Sequence, residues 1–328
     1  MKKEEARYML IGKAPEFKSS EITPRESFLN RRNLIFGGLA AAGLAYEWHQ
    51  KMPPLYTPTV HAATKLPTVP GQAPAVSDAI TPQGKATSYN NFYEFGTDKA
   101  DPKANAGKLK QRPWTVKIEG LCNNPKTVDI ETLLKYKPLE DRTYRFRCVE
   151  AWSMIIPWVG YPLVDLINFA QPKPEAKYVE FISLADRSQM DLPGGFNWPY
   201  TEGLRMDEAM NPLTLLTFGA YGQTLENQQG APIRVIVPWK YGFKSAKSIV
   251  RIRFTDKQPV TTWNDMSSSE YGFYSNVNPT HDHPRWSQAH ERRIDASVFP
   301  RTVPTLPFNG YGNEVASLYK GMDLNKYY

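Results

Sequence analysis

Apolar residues along the chain recur with two different periods, which predict two kinds of element. The segment 114–120 alternates apolar and polar residues, as in a strand with one buried face. The same reasoning predicts strands at 177–184, 213–222, 233–239 and 248–254. The apolar spacing at 163–170 is helical, and Asp129 is placed to cap a short helix that runs through Leu134. Strands mixed with short helices and many connections predict an α+β fold.

One further alternating segment, 144–150, contains Cys148, one of two cysteines in the chain. As a strand it would place Cys148 and Glu150 on one face and its arginines on the other. The arginines would then lie away from the thiol, so their closeness in sequence does not by itself lower the thiol pKa. Three roles stay open for Cys148 at this point: a buried apolar residue, a ligand of a soft metal, or half of a disulfide.

Other residues with thiol or metal chemistry form no recognisable motif. Cys122 lies in GLCNNP, which predicts a turn after the first strand and an inert thiol. The chain has no CxxC pair and no CxxCH haem-attachment site. Beyond residue 62 the histidines are His281, His283 and His290, and their spacing fits no helix-borne metal motif. These residues therefore indicate neither a dithiol nor a zinc site.

The amino-terminal segment has the features of an export signal. Arg31 and Arg32 precede an apolar run of 13 residues from Leu34 to Tyr46. That run is short for a hydrocarbon layer of about 30 Å, so a cleaved signal is favoured over a retained anchor. The paired arginines indicate the twin-arginine route, which carries folded proteins. We therefore expect a twin-arginine signal peptide over residues 1–62 and a periplasmic protein.

Composition divides the rest of the chain into an arm and one domain. Residues 63–88 are rich in Pro, Thr and Ala without apolar periodicity, which predicts an extended arm. Residues 89–328 are expected to form a single domain, with a carboxy-terminal tail that wraps the core. Residues 1–62 carry nine Lys and Arg against six Asp and Glu, so the remainder has a net charge of only about +4. This weak and dispersed charge gives no support for nucleic acid as a partner.

Several long motifs resemble one known family. RCVEAWSM, YNNFYEFG, QGAPIRVIVPWKYGFKSAKSI and EYGFYSNVNP with HPRWSQA are similar to the sulfite oxidase superfamily, and within it to the periplasmic methionine sulfoxide reductases. The resemblance covers the chain from about Tyr89 to its end. It implies a sulfite-oxidase-like domain that binds Mo-molybdopterin. In that family one cysteine thiolate binds the molybdenum, and by correspondence this metal ligand is Cys148.

The resemblance also implies which residues contact the cofactor. They are Asn90, Tyr93, Glu94, Ser183, Gln229, Arg234, Ser245, Ala246 and Lys247, with Gln229 standing where relatives have Asn. Arg234 and Lys247 are natural partners for the cofactor phosphate. Backbone N–H groups around Gly242 are placed to form an anion nest, and Lys240 and Lys244 add positive charge to the same segment.

Two residues near Cys148 are candidates for handling protons and substrate. Reduction of a sulfoxide consumes two protons, and Glu150 can deliver them if burial raises its pKa. The alternative is that Glu150 supports the site, for example through an ion pair with an arginine. Asn91 is expected to face the substrate pocket as a hydrogen-bond donor. Cys148, Glu150 and Asn91 are therefore the expected catalytic residues.

The resemblance implies a molybdenum-dependent reductase of methionine sulfoxide, with oxidised periplasmic proteins as its substrates. The chain has no haem site and too few cysteines for an iron–sulfur cluster, so electrons must come from another protein. The family implies a membrane haem-containing, quinol-linked subunit in that role. Two alternatives stay open: sulfite oxidation on the same fold, and a periplasmic binding protein without catalysis.

Overall fold

The structure is a computed structural model that describes residues 63–299 and 301–328. The predicted signal peptide over residues 1–62 lies outside the described residues. Within the described part of the chain, no helix has the length and apolar character needed to cross a membrane.

The described residues form strands and short helices that alternate along the chain. The strands are β1 (Val69–Pro70), β2 (Thr115–Gly120), β3 (Lys126–Asp129), β4 (Glu140–Arg147), β5 (Trp152–Pro162), β6 (Tyr178–Ser183), β7 (Thr201–Arg205), β8 (Leu215–Ala220), β9 (Gln223–Thr224), β10 (Arg234–Ile236), β11 (Ile249–Thr255), β12 (His290–Arg293) and β13 (Arg301–Pro304). The α-helices are α1 (Gln83–Ala86), α2 (Asp101–Asn105), α3 (Ile130–Tyr136), α4 (Leu163–Ala170), α5 (Met206–Ala209), α6 (Thr262–Met266) and α7 (Gly312–Val315). Single 3₁₀ turns lie at Tyr93–Phe95, Ala106–Lys108, Asn227–Gln229, Gly242–Lys244, Pro307–Gly310 and Ala316–Tyr319.

The larger sheet is built around the long strand β5. Strands β4 and β8 flank β5 on its two sides, and both are antiparallel to it. Strand β8 also pairs with β9 and β10, while β1 lies beside β4 in parallel. Strand β12 pairs with the first residues of β5, and β13 follows it. The connection between β4 and β5 is a tight turn, and this turn contains Cys148.

The second sheet has the order β3-β2-β11-β6-β7. Its only parallel pair in the described residues is β2 with β11. Val116 and Ile118 of β2 and Ile252 of β11 are buried, and they alternate with exposed or half-buried polar residues. One face of this sheet therefore contributes to the apolar core, as the alternation in sequence requires.

Most of the predicted elements are confirmed. Strands β2, β6, β8 and β11 and helix α4 lie where the apolar pattern predicted them. Asp129 caps α3, because its carboxylate accepts the backbone N–H of Thr132 at 2.9 Å. The segment 233–239 is a strand only over the three residues of β10, and residues 238–239 then lie in a turn. The mixed α+β fold is confirmed.

One prediction was wrong in a way that matters for the site. The strand predicted at 144–150 ends at Arg147, because residues 148–151 form the turn into β5. The sequence pattern continued into the turn because Cys148 is itself buried. Strands β12 and β13 of the tail carry mainly polar residues, so periodicity did not predict them.

The two ends of the described chain pack along the larger sheet. Residues 63–82 are mostly without regular structure, and β1 attaches them to β4. In the tail, Tyr311 and Tyr319 are buried, and the Tyr311 hydroxyl accepts the backbone N–H of Arg145 at 3.0 Å. The arm and the tail thus cover β4, the strand that leads to Cys148.

Candidate active site

The turn between β4 and β5 brings a thiol and a carboxylate together. The Cys148 N–H donates to the Trp152 carbonyl at 2.9 Å, and the Ala151 N–H donates to the Cys148 carbonyl at 3.1 Å. Ala151 has φ 58°, a left-handed conformation that closes the turn. As a result the Cys148 sulfur lies 3.8 Å from Glu150 Oε2, and the Glu150 N–H points to the same sulfur at 3.4 Å. The turn, rather than a shared strand face, makes these residues neighbours.

Asn91 completes a cluster of three residues. Its Nδ2 donates to the Cys148 sulfur at 3.5 Å and to Glu150 Oε2 at 3.1 Å. Asn91 reaches the turn from the segment before the 3₁₀ turn at Tyr93–Phe95, more than fifty residues earlier in the chain. The structure therefore brings together the three residues that were expected to be catalytic.

Glu150 has several partners in addition to Asn91. Lys99 Nζ lies 2.9 Å from its Oε2, Trp152 Nε1 donates to the same oxygen at 2.9 Å, and the Tyr93 hydroxyl lies 3.5 Å from Oε1. Burial raises the pKa of Glu150, but the hydrogen bonds from Lys99 and Trp152 outweigh burial and hold this pKa below its ordinary value. Glu150 therefore fits the alternative of a supporting role, in which the ion pair is made with Lys99 rather than with an arginine.

The environment of Cys148 disfavours a free thiolate. Burial, followed by the negative charge of Glu150, raises the pKa of Cys148 to about 12. Arg147 points away, as predicted: it is fully buried, lies 2.9 Å from Glu291, and donates to the Cys148 carbonyl. A thiol in these surroundings is a poor nucleophile by itself, whereas a bound metal cation would stabilise its thiolate.

Cys148 lies in a cleft of about 930 Å³, including the open mouth. The cleft is also lined by eight other expected residues, namely Asn90, Asn91, Tyr93, Glu94, Glu150, Gln229, Arg234 and Lys247. Ser183, Ser245 and Ala246 do not line it, although all three are buried.

The cationic part of the cleft is formed by Arg234 and Lys247. The Arg234 guanidinium donates to the Gln229 carbonyl at 2.6 Å, and burial lowers its pKa to about 9. Burial and the nearby Arg234 charge lower the pKa of Lys247 to about 8. Glu94 is buried beside them, and burial raises its pKa to about 7. Two neighbouring buried cations would be stabilised by a bound anion such as a phosphate.

Lys240 and Lys244 do not contribute to this cationic part, contrary to the expectation from sequence. Both side chains are fully buried away from the cleft. Lys240 Nζ lies 2.6 Å from Glu208, and Lys244 Nζ lies 2.5 Å from Glu202. The anion nest is also smaller than expected, because the Ser245 N–H donates to the Gly242 carbonyl.

Several buried polar atoms around the cleft lack a protein partner in the described residues. They are Asn90 Oδ1, Asn91 Oδ1, Trp158 Nε1 and Arg234 Nε, all on residues that line the cleft. The backbone N–H groups of Ala246 and Lys247 likewise donate to no acceptor within the described part of the chain. Unpaired buried donors and acceptors are costly, so their concentration here indicates a polar ligand. The residues present therefore fit a phosphate-bearing, hydrogen-bonding pterin cofactor.

Sequence reasoning missed part of the site. Lys99 and Trp152 bind Glu150, and Trp263 and Tyr271 line the cleft. Trp152 lies within the motif RCVEAWSM that contains Cys148, so the sequence itself points to it. Lys99 is one of many lysines in a polar stretch, and nothing in the sequence distinguishes it.

Cys122 and the histidines of the tail pack within the fold and form no metal or disulfide site in the described residues. Cys122 and Cys148 are both free, so they form no disulfide. His283 stacks on Trp286 at 3.7 Å, and His281 stacks on Tyr328 at 4.3 Å. Within residues 63–299 and 301–328, no group of three or more His, Cys, Asp or Glu is arranged to hold a metal.

The class of protein follows from this geometry and from a family match. Residues 103–263 match the family described as oxidoreductase molybdopterin binding domain. This stretch contains Cys148, Arg234 and Lys247, which lie together in the cleft. The chain is therefore a molybdopterin-dependent oxidoreductase, as its motifs indicated.

Similar proteins that align with nearly the whole chain show which family within this class it belongs to. A protein of Burkholderia mallei named protein-methionine-sulfoxide reductase catalytic subunit MsrP is 58% identical over 315 residues, which cover 94% of this chain and 95% of that protein. A protein of the same name from Ralstonia nicotianae is 56% identical over 322 residues, which cover 94% and 96%. The chain belongs to the family of protein-methionine-sulfoxide reductase catalytic subunits. Among solved structures, the sulfane dehydrogenase SoxCD from Paracoccus pantotrophus is 21% identical, with a TM-score of 0.43, over 74% of this chain and 60% of that chain.

Proposed function

We propose that the chain reduces methionine sulfoxide to methionine, chiefly in proteins. The reaction consumes one sulfoxide, two electrons and two protons, and it yields one thioether and one water. The observation that carries this proposal is the contact of Asn91 Nδ2 with both the Cys148 sulfur and the Glu150 carboxylate, in a cleft that Arg234 and Lys247 also line. Family membership makes the sulfoxide of methionine the natural substrate.

The residues of the cleft divide into those that hold the cofactor and those that meet the substrate. Cys148 would bind the molybdenum, and Arg234 and Lys247 would bind the phosphate of the pterin. When bound, the molybdenum supplies the two-electron chemistry. Asn91 Nδ2 keeps one N–H on Glu150 at 3.1 Å, and the N–H that makes the longer 3.5 Å contact with the Cys148 sulfur would turn to the oxygen of a bound sulfoxide.

Glu150 acts as a hydrogen-bond acceptor rather than as a proton donor. Because its pKa lies below the ordinary value, Glu150 is ionised at neutral pH. An ionised carboxylate accepts hydrogen bonds, so Glu150 fixes the positions of Asn91 and Lys99. Glu150 is therefore a positioning group rather than the proton donor of the reaction.

The same charge argues against sulfite as the substrate. Sulfite is an anion, and an ionised Glu150 beside the metal ligand would repel it. A sulfoxide is neutral and experiences no such repulsion. The reductase is therefore favoured over the oxidase, and an assay with sulfite and an electron acceptor should give no turnover.

We further propose a periplasmic location and a membrane electron donor. The paired Arg31 and Arg32 before a short apolar run support export by the twin-arginine route. The relatives are named catalytic subunits, which supports a separate partner subunit. With no haem site or cluster motif in its own sequence, the chain would receive electrons from a haem-containing, quinol-linked membrane subunit.

The proposal is tested by replacing each of the two cysteines. Purified protein should contain molybdenum and reduce methionine sulfoxide with a reduced dye as electron donor. Cys148→Ser should abolish turnover, whereas Cys122→Ser should retain it, because Cys122 is buried outside the cleft. Undiminished turnover of Cys148→Ser, or protein free of molybdenum that is still active, would exclude the proposed site.

A further inference from the structure

The cleft contains a group of aromatic residues that cofactor binding does not explain. Trp263 and Tyr271 line the cleft with ring centres 4.7 Å apart, and Trp263 lies 5.1 Å from the ring of Tyr93. We call Trp263 and Tyr271 the aromatic wall. The Tyr93 hydroxyl lies 3.5 Å from Glu150, so the wall begins next to the Asn91–Cys148–Glu150 cluster.

The aromatic wall is held in place by contacts behind it. Asn264, next to Trp263 on α6, donates to the Tyr271 carbonyl at 2.8 Å and so ties the two parts of the wall together. Phe196 packs on Trp263 with ring centres 5.6 Å apart. Asn197 then donates to Asp265 of the same helix at 2.9 Å. A wall fixed in this way presents its rings to a ligand without rearrangement.

The chemistry of a methionine sulfoxide side chain matches this end of the cleft. Its S=O group is a strong hydrogen-bond acceptor, whereas the methyl group and the methylenes on either side are apolar. Asn91 offers a donor for the oxygen, and the nearby rings offer an apolar surface for the carbons. Sulfur and the carbons attached to it make favourable contacts with aromatic rings.

We propose that Trp263 and Tyr271 form the subsite that binds the S-methyl group and side-chain carbons of the sulfoxide. The subsite would select alkyl sulfoxides, and a small sulfoxide such as dimethyl sulfoxide would use less of it. This inference rests on the proposed reductase function. Trp263 and Tyr271 act here as specificity-determining residues, and they are separate from the residues that hold the cofactor.

The inference is tested with Trp263→Leu and Trp263→Phe, and with Tyr136→Leu as the control. Tyr136 packs on Tyr161 and Phe169 and does not line the cleft. Trp263→Leu should raise KM for a methionine-sulfoxide peptide about tenfold, with kcat within about twofold and molybdenum content unchanged. Trp263→Phe should restore most of the affinity. KM for dimethyl sulfoxide should rise less, and Tyr136→Leu should leave both KM values unchanged.

Binding of a methionine-sulfone peptide, which resists reduction, gives a readout without turnover. Its Kd, measured by calorimetry on the molybdenum-loaded protein, should rise in Trp263→Leu by the same factor as KM. An unchanged KM and Kd in loaded Trp263→Leu would overturn the inference. Loss of molybdenum in both Trp263 variants would also overturn it, because Trp263 would then hold the cofactor. If the wild-type protein fails to reduce any sulfoxide, the proposed function fails instead.

Discussion

The buried ion pair between Lys244 and Glu202 allows the effect of a substitution on stability to be predicted in size. Lys244 Nζ lies 2.5 Å from Glu202 Oε2, and both side chains are fully buried. Replacing Lys244 by Met keeps most of the side-chain volume but leaves Glu202 without its cation. Removing one partner of a buried pair costs about 3–5 kcal/mol. For a domain of this size that corresponds to a Tm lower by roughly 6–15 °C.

The loss should depend on pH with a definite sign. Burial raises the pKa of Glu202, and the charge of Lys244 opposes this rise. In Lys244→Met the positive charge that lowers the pKa of Glu202 is absent, so the folded-state pKa of Glu202 rises further above its unfolded value. An acid whose folded pKa is raised favours folding at low pH and loses that advantage as pH increases through the raised pKa. The difference in Tm from wild type should therefore be larger at about pH 7.5 than at about pH 5.5.

An exposed pair provides a matched control for burial. Lys117 Nζ lies 2.6 Å from Glu119, almost the same separation, but the Lys117 side chain is 54% exposed. Lys117→Met should cost less than about 1 kcal/mol, or a few degrees in Tm at most. Thermal unfolding followed by circular dichroism at both pH values measures all three proteins. Equal losses in the two variants, or a Lys244→Met loss that does not change with pH, would refute the reasoning.

Two further predictions concern the cleft and the tail. Gly242 approaches the Phe146 ring so closely that an added Cβ would lie 2.5 Å from the Phe146 Cζ. The substitution Gly242→Ala should therefore lower the free energy of unfolding by about 1–3 kcal/mol and reduce the molybdenum content measured by elemental analysis. An unchanged molybdenum content would contradict this prediction. Burial lowers the pKa of His283 below its ordinary 6.5, and a depressed histidine pKa stabilises the fold at neutral pH and loses this effect as pH falls. From about pH 7 to about pH 5 the wild-type Tm should fall further than that of His283→Gln, and parallel curves would disprove the assignment.

The sheet elements were predictable because local patterns determined them. In β2 and β11 the alternation of buried and polar residues is imposed by one buried face, so a short stretch of sequence contains the whole signal. Strand β12 lacks that signal, because its residues His290–Arg293 are charged or polar and two of them are nevertheless buried. Glu291 and Arg293 are buried because they pair with each other and Glu291 also pairs with Arg147. A charge pairing between distant segments leaves no period in the sequence.

Glu150 shows most clearly the difference between what local sequence predicts and what contacts between distant segments decide. Its closeness to Cys148 was predictable because only Val149 separates the two residues in the sequence, whichever element they form. Its pKa was not, because burial alone would raise it and the opposing hydrogen bond comes from Lys99, 51 residues earlier in the chain. Together with Trp152 and Asn91, this contact keeps the carboxylate beside the expected metal ligand charged, and that charge disfavours an anionic substrate. The preference for a sulfoxide over sulfite thus depends on a lysine that no motif identifies.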